Sequence, residues 1–328
     1  MKTKVLFVSQ TMGHKQNCGI GIMGELIGEA LLGHPELEFN FIYSDDIPTV
    51  HNKINEFNPE VVIYNYAPGI TTWVDDWELR RDYQHIKHGR LMHDAMCQRI
   101  ADEYTPEKNS NWNHIIADDP QVVGNEYVII TNRLMPGTPT VKYVEPERPI
   151  IGFQGFGFVH KGIDRIAHQV VKEFDEAVIR LHIPYSFYGD PSGHMARTRV
   201  AEVQQIVAHK PGIQVIATFD LISTQEIIDL LAQNTVNCYF YHELTDVYGT
   251  ASSPDYGLAA RRPIAVTKSY QMRNYWHEPR VQIEQTSLRE IIANGTEVLE
   301  PFYKAYSKES VWEDYSRVVR TMLASNKS

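Results

Sequence analysis

Short apolar runs recur along the chain, separated by stretches with helical spacing of apolar residues. The runs in the first half are 4–9, 39–43, 61–66, 90–93, 113–117 and 127–131, and those in the second half are 149–153, 177–183, 214–219, 238–242, 264–267 and 281–284. Between them, Met23, Leu26, Ile27, Ala30 and Leu31 share one helical face, as do Ile163, Ile166, Ala167, Val170, Val171 and Phe174. A further helix is marked by Val200, Val203, Ile206 and Val207, and Ser223 with Glu226 forms a capping box that opens another. Alternating strand and helix predicts parallel sheets covered on both faces, an α/β class.

Pro136, Pro139, Pro146 and Pro149 interrupt the pattern midway. We therefore expect two tandem doubly wound (Rossmann-like) domains, at 1–145 and 146–305. A last helix at 306–328, with Val311, Tyr315, Val318, Val319, Met322 and Leu323 on one face, is expected to pack back across the junction.

The 328 residues suffice for two cores, on a prior of about 150 residues per domain. Cys18, Cys97 and Cys238 lie far apart without metal-ligand spacing, as in a reduced cytoplasmic protein. No run is long enough for a transmembrane segment. The net charge of −10 argues against broad electrostatic binding to nucleic acid. Acidic residues outnumber basic ones 21 to 13 in residues 1–150 and 20 to 18 in the remainder.

Ligands of doubly wound sheets bind beyond the carboxyl ends of the strands. One such loop is Gly155-Phe-Gly157, with Lys161 before a helix. The glycines let backbone N–H groups approach an anion, and the lysine adds charge. His160 stands where a dinucleotide fingerprint has its third glycine, and Lys161-Gly162 reverses the Walker order, so neither motif is met. A second loop follows 238–242. Gly249, Thr250, Ala251, Ser252 and Ser253 bring N–H and hydroxyl groups, and Asp246 and Asp255 are carboxylates able to hold sugar hydroxyls. Read singly, the first is equally a glycine turn with a solvated lysine, and the second a helix-capping sequence. His85, His88 and His93 lie beside Lys87 and Arg90, which would repel a metal ion. The basic run Arg80, Arg81, Lys87, His88 and Arg90 reads either as a solvated face or as a guide for an anionic acceptor. Trp73, Trp77 and Trp112 read as packing residues.

Together, strand-Gly-x-Gly-x3-Lys-Gly, the Ser223–Glu226 helix start and the strand-carboxylate-x-Tyr-Gly…Ala-Ala-x2-Pro-Ile-Ala-Val segment resemble the C-terminal domain of GT-B glycosyltransferases. The similarity is strongest to the large retaining family four. In the first half, Gly19-Ile-Gly21, Asn58-Pro-Glu-Val-Val-Ile63 and Arg90-Leu-Met-His-Asp94 resemble that family's first glycine loop, a strand, and the strand delivering its active-site histidine.

The resemblance implies two domains facing a cleft and a hexosyl- or pentosyltransferase moving sugar from a nucleotide-diphosphate sugar to a hydroxyl. The acceptor is a glycan, an anionic one included, or a modified nucleic-acid base. Lys161 would contact the donor diphosphate, residues 249–253 would hold phosphate and sugar, and His93 would lie at the donor sugar. Gly19, Gly21, Gly155, Gly157 and Asp255 complete the binding set, and His93, Asp94, Lys161 and Asp246 the catalytic one. Asp94 or His93 would be the base of an inverting reaction. No cofactor is expected, because cation and helix-dipole charge replace a metal. Phe156 stands where the family has an arginine, Tyr248 and Tyr256 where it has glutamates, and Arg261 where it has a glycine. A nucleotide-sugar epimerase on the same fold, or an inactive binding protein of that fold, are the competing readings.

Overall fold

Strand β1 (Thr3–Ser9) buries Val5 and Phe7 on one face and Leu6 and Val8 on the other. Successive strand residues point to opposite faces, so a run apolar at every position needs cover on both. The computed structural model describes residues 2–10, 19–66, 71–75, 82–93, 112–119, 122–187, 189–244 and 249–325.

In the first half, β1 is followed by α1 (Gly19–Leu32), β2 (Leu37–Tyr43), α2 (Ile47–Phe57), β3 (Val61–Tyr66), β4 (Lys87–Met92), β5 (His114–Ala117) and β6 (Val128–Ile130). Asp46 caps α2, its carboxylate accepting from Thr49 N at 2.7 Å. The strands form one parallel sheet in the order β2-β1-β3-β4-β5-β6.

The second half runs β7 (Ile150–Gln154), α3 (Ile163–Glu173), β8 (Ala177–His182), α4 (His194–Val207), β9 (Ile213–Thr218), α5 (Thr224–Ala232), β10 (Val236–Tyr239), α6 (Ser253–Ala259), β11 (Ile264–Val266), α7 (Leu288–Asn294) and α8 (Glu300–Ala305). Its parallel sheet has the order β11-β10-β7-β8-β9. The capping box of Ser223 and Glu226 forms as the sequence suggests, and Ser287 with Glu290 makes a second one. Residues 281–284 do not form the expected strand. Pro279 to Val281 is a 3-10 turn capped by Glu278, and only Gln282 bridges to Val266. Its side-chain amide donates to the carbonyls of Tyr275 and Trp276, which holds the segment as a turn.

The chain divides into two compact units, residues 1–134 with 305–328, and residues 135–304. The returning helix α9 (Lys308–Ala324) lies in the first unit, where Val311, Tyr315, Val318, Val319 and Met322 pack with Val5, Phe7, Ile63, Leu91 and Ile116. Each large apolar side chain so buried contributes on the order of 1.5–3 kcal/mol. Trp312 Nε1 donates to the Ala30 carbonyl at 2.9 Å, tying α9 to α1. No helix among the described residues is long and apolar enough to cross a membrane.

Candidate functional site

The second sheet winds outward from β7 through β8 to β9, then crosses back to place β10 on the other side of β7. The carboxyl ends of β7 and β10 therefore flank a topological switch point, the place where such sheets bind ligands. The loop after β7 is built for close approach. A Cβ on Gly157 would lie 2.5 Å from Ala196 Cα, so this glycine lets the loop pack against the start of α4. Gly162, at φ 61°, adopts the left-handed conformation, and a Cβ there would meet the Phe240 carbonyl oxygen at 1.8 Å. The loop is thereby pressed onto the segment after β10. Gly155 faces the second candidate loop, its Cβ direction ending 3.3 Å from Ser253 Oγ.

Lys161 Nζ donates to the Tyr241 hydroxyl at 2.9 Å and lies 4.2 Å from the centre of that ring. Among the described residues, no carboxylate forms an ion pair with it. Phe156, Phe158, His160 and Tyr241 make a chain of ring contacts alongside, at 5.8, 5.8 and 6.1 Å between centroids. Burial, helped by the charges of Lys161 and His242, pushes the His160 imidazole down from an ordinary 6.5 to about 4. At neutral pH His160 is therefore uncharged and adds no second positive charge next to Lys161. His242 Nε2 stands 3.6 Å from Asp164 Oδ1, and Arg165 donates to the carbonyls of Phe240 and Tyr241.

In the second loop, Gly249 is buried, Thr250 half-buried, and Ala251 N donates to the Gln271 carbonyl at 3.0 Å. Ser252 precedes α6 but makes no side-chain cap, and Gly162 likewise leaves α3 without one. Ser252 therefore does not play the capping role its sequence suggests. The start of α4, by contrast, is closed by Asp190, whose carboxylate accepts from Met195 N and Ala196 N at 3.0 and 2.8 Å. Asp255 is buried within α6.

In the first unit, His93 sits just beyond the end of β4 and is buried. Its Nδ1 bonds Asp118 Oδ2 and its Nε2 bonds Asn65 Oδ1, both at 2.7 Å. The Asn65 amide nitrogen donates to Ser9 Oγ and to the Ile20 carbonyl, which turns its oxygen to the histidine. Both ring nitrogens are therefore occupied by buried partners within the first unit. Burial raises the Asp118 carboxyl, but His93 and Arg133, whose Nη1 is 3.4 Å away, hold it below the usual range.

The structure brings Gly155 beside Ser253, sets Lys161 against Tyr241, and places His93 in the other unit. Asp94 and Asp246 lie outside the described residues, as do Arg80, Arg81, Trp77, Cys18, Cys97 and Tyr248. Gly19 and Gly21 occupy the first turn of α1 itself, so they are helical positions and not a loop before the helix. The basic run is not a solvated patch at its described positions. Lys87 donates to the Ser325 carbonyl at 2.9 Å, His88 is buried against Tyr64, and the Arg90 guanidinium lies 3.5 Å over the Tyr66 ring. These residues belong to the interior strand β4. Trp112 packs on Tyr64 and Tyr66, a packing role. Tyr241, Asn65, Asp118 and Arg133 were not singled out from sequence. A polar residue inside the apolar run Val61-Val-Ile-Tyr-Asn-Tyr66 is the signal that could have revealed Asn65.

No family model matches the sequence, and no curated protein matches it. By structure, a glycosyltransferase from Rickettsia africae aligns over 99% of this chain and 100% of its own, with TM-score 0.61 and 11% identity. Anabaena HepE in complex with UDP aligns over 98% and 100%, with TM-score 0.60 and 10% identity. A UDP-forming α,α-trehalose-phosphate synthase from Burkholderia xenovorans, in complex with glucose-6-phosphate, aligns over 98% and 100%, with TM-score 0.63 and 8% identity. These likenesses show the fold, the α/β GT-B fold with two doubly wound parallel-sheet domains.

The lowered His160 value has a measurable consequence. Between pH 6.5 and about 4, unfolded chains bind a proton here that folded chains do not, so stability falls as pH drops through that window. His160→Gln should reduce the loss of urea-unfolding stability between pH 7 and pH 4.5. An equal loss in both proteins would contradict this account.

Proposed function

We propose that this protein is a glycosyltransferase that takes its sugar from a nucleotide-diphosphate sugar. The observation that carries the reading is the Lys161 ammonium at the switch point of the second sheet, oriented by a neutral hydroxyl and unpaired with any described carboxylate. The GT-B fold supports it, since glycosyltransferases and the UDP-bound HepE share that architecture.

In the reaction, the bond from the anomeric carbon to the β-phosphate oxygen breaks, and negative charge gathers on the diphosphate. Lys161 stabilises that charge, with help from the N–H groups opening α3, and so supplies what a chelated metal would otherwise bring. A bond forms from the acceptor oxygen to the anomeric carbon. The acceptor proton passes to the departing phosphate oxygen on the same face, which retains configuration and requires no histidine base. The engagement of both His93 nitrogens suits this route better than one using that residue as base. Ser253, beside Gly155, is proposed to contact the donor's phosphate or sugar.

UDP is the nucleotide to test first, because HepE is described with UDP and with UDP-glucose. Lys161→Ala should weaken nucleoside-diphosphate binding by about 1.5–3 kcal/mol, the value of a charge-assisted contact. Isothermal titration calorimetry measures it directly, and unchanged affinity would remove Lys161 from the site.

A further inference from the structure

The loop that carries Lys161 has Phe156 where an arginine was expected, so a second charged group does not share the anion from that position. What stands beside the lysine is Tyr241. We infer that Tyr241 is the positioning residue of the donor site: it fixes the direction of the Lys161 ammonium without cancelling its charge. The inference rests on the proposed role of Lys161 in holding a diphosphate.

Tyr241 lies two residues beyond β10, and its side chain is fully buried. Its main chain is anchored twice, since its carbonyl accepts from Thr267 Oγ1 at 2.9 Å and from Arg165 Nη1 at 3.1 Å. Beneath the lysine, Gly162 is pressed on the Phe240 carbonyl and His242 N donates to the His160 carbonyl at 2.8 Å, so the two loops are joined on both sides of the pair. The phenol oxygen and the ring face then hold one ammonium from two directions, at 2.9 and 4.2 Å.

The chemistry of the partner decides the consequence. A carboxylate at this distance would orient Nζ equally well but would neutralise it, and an incoming diphosphate would have to displace it. A phenol accepts a hydrogen bond and leaves the charge whole. Among the described residues Tyr241 is the one hydrogen-bond acceptor for Lys161 Nζ, so the ammonium keeps its remaining N–H bonds for an anion. A flexible lysine otherwise loses side-chain entropy when a ligand orders it, and pre-ordering by Tyr241 reduces that loss. Because Tyr241 is covered, it acts through Lys161 and does not touch the ligand.

The test is a double-mutant cycle by calorimetry, using the tightest binder among UDP, GDP, ADP and CDP. Tyr241→Phe keeps the ring and its volume and removes only the accepting oxygen. It should weaken binding by about threefold to tenfold when Lys161 is present, the worth of one net hydrogen bond, and by less than about twofold in a Lys161→Ala background. Equal losses in both backgrounds would show that Tyr241 acts on the ligand or the fold independently of Lys161, and would overturn the inference. No loss from Tyr241→Phe, with a loss from Lys161→Ala, would overturn it while leaving the functional reading in place. Failure of the wild type to bind any of the four, or identical affinity in every variant, would overturn both.

Discussion

An ammonium group half-withdrawn from water at the end of a parallel sheet is costly unless its N–H bonds are met. Lys161 meets this constraint with a hydroxyl and an aromatic face, and not with a carboxylate. Much of the surrounding geometry serves that choice. Gly162 permits the left-handed turn that brings the lysine onto the segment after β10, and Gly157 lets the same loop close against α4. Asp190 caps α4, whereas α3, immediately after the lysine, begins without a side-chain cap. Positive charge and free N–H groups thus gather at one end of the second sheet.

The first unit follows the opposite strategy. There Ser9 and Asn65, on β1 and β3, His93 and Asp118, just beyond β4 and β5, and Arg133, after β6, form a buried chain of polar contacts. A network of this kind fixes side-chain directions, and breaking one member leaves others buried and unpaired. The His93 ring is consequently held from both of its nitrogens. The helix α9 closes the sheet face beneath, so the carboxyl-terminal segment is integral to the first unit's core.

Much of this was legible in the chain. Strand and helix positions follow from apolar periodicity because the central strands of each sheet are buried on both faces, and the Ser223 capping box follows from local spacing alone. The loops bearing Lys161 and Ser253 were found for the same reason, since they follow strands. The failures are instructive in physical terms. Residues 281–284 alternate apolar and polar positions, but the turn at Pro279–Val281 leaves only a single bridge from Gln282 to Val266, and the Gln282 amide ties the segment to the carbonyls of Tyr275 and Trp276. The basic run around Lys87 looked like a surface because charge usually is, yet an interior strand folded it among aromatic rings. Tyr241 and Asn65 could not be assigned, because their partners lie 80 and 28 residues away in sequence.

The central claim is that the Lys161 ammonium, held by Tyr241, receives the diphosphate of a donor nucleotide. The most direct measurement is a crystal structure of the protein with UDP or the nucleoside diphosphate it binds best. The account predicts a β-phosphate oxygen about 2.7–2.9 Å from Lys161 Nζ with the contact to Tyr241 retained. A diphosphate seated elsewhere, or a Lys161 side chain turned away from it, would contradict the account.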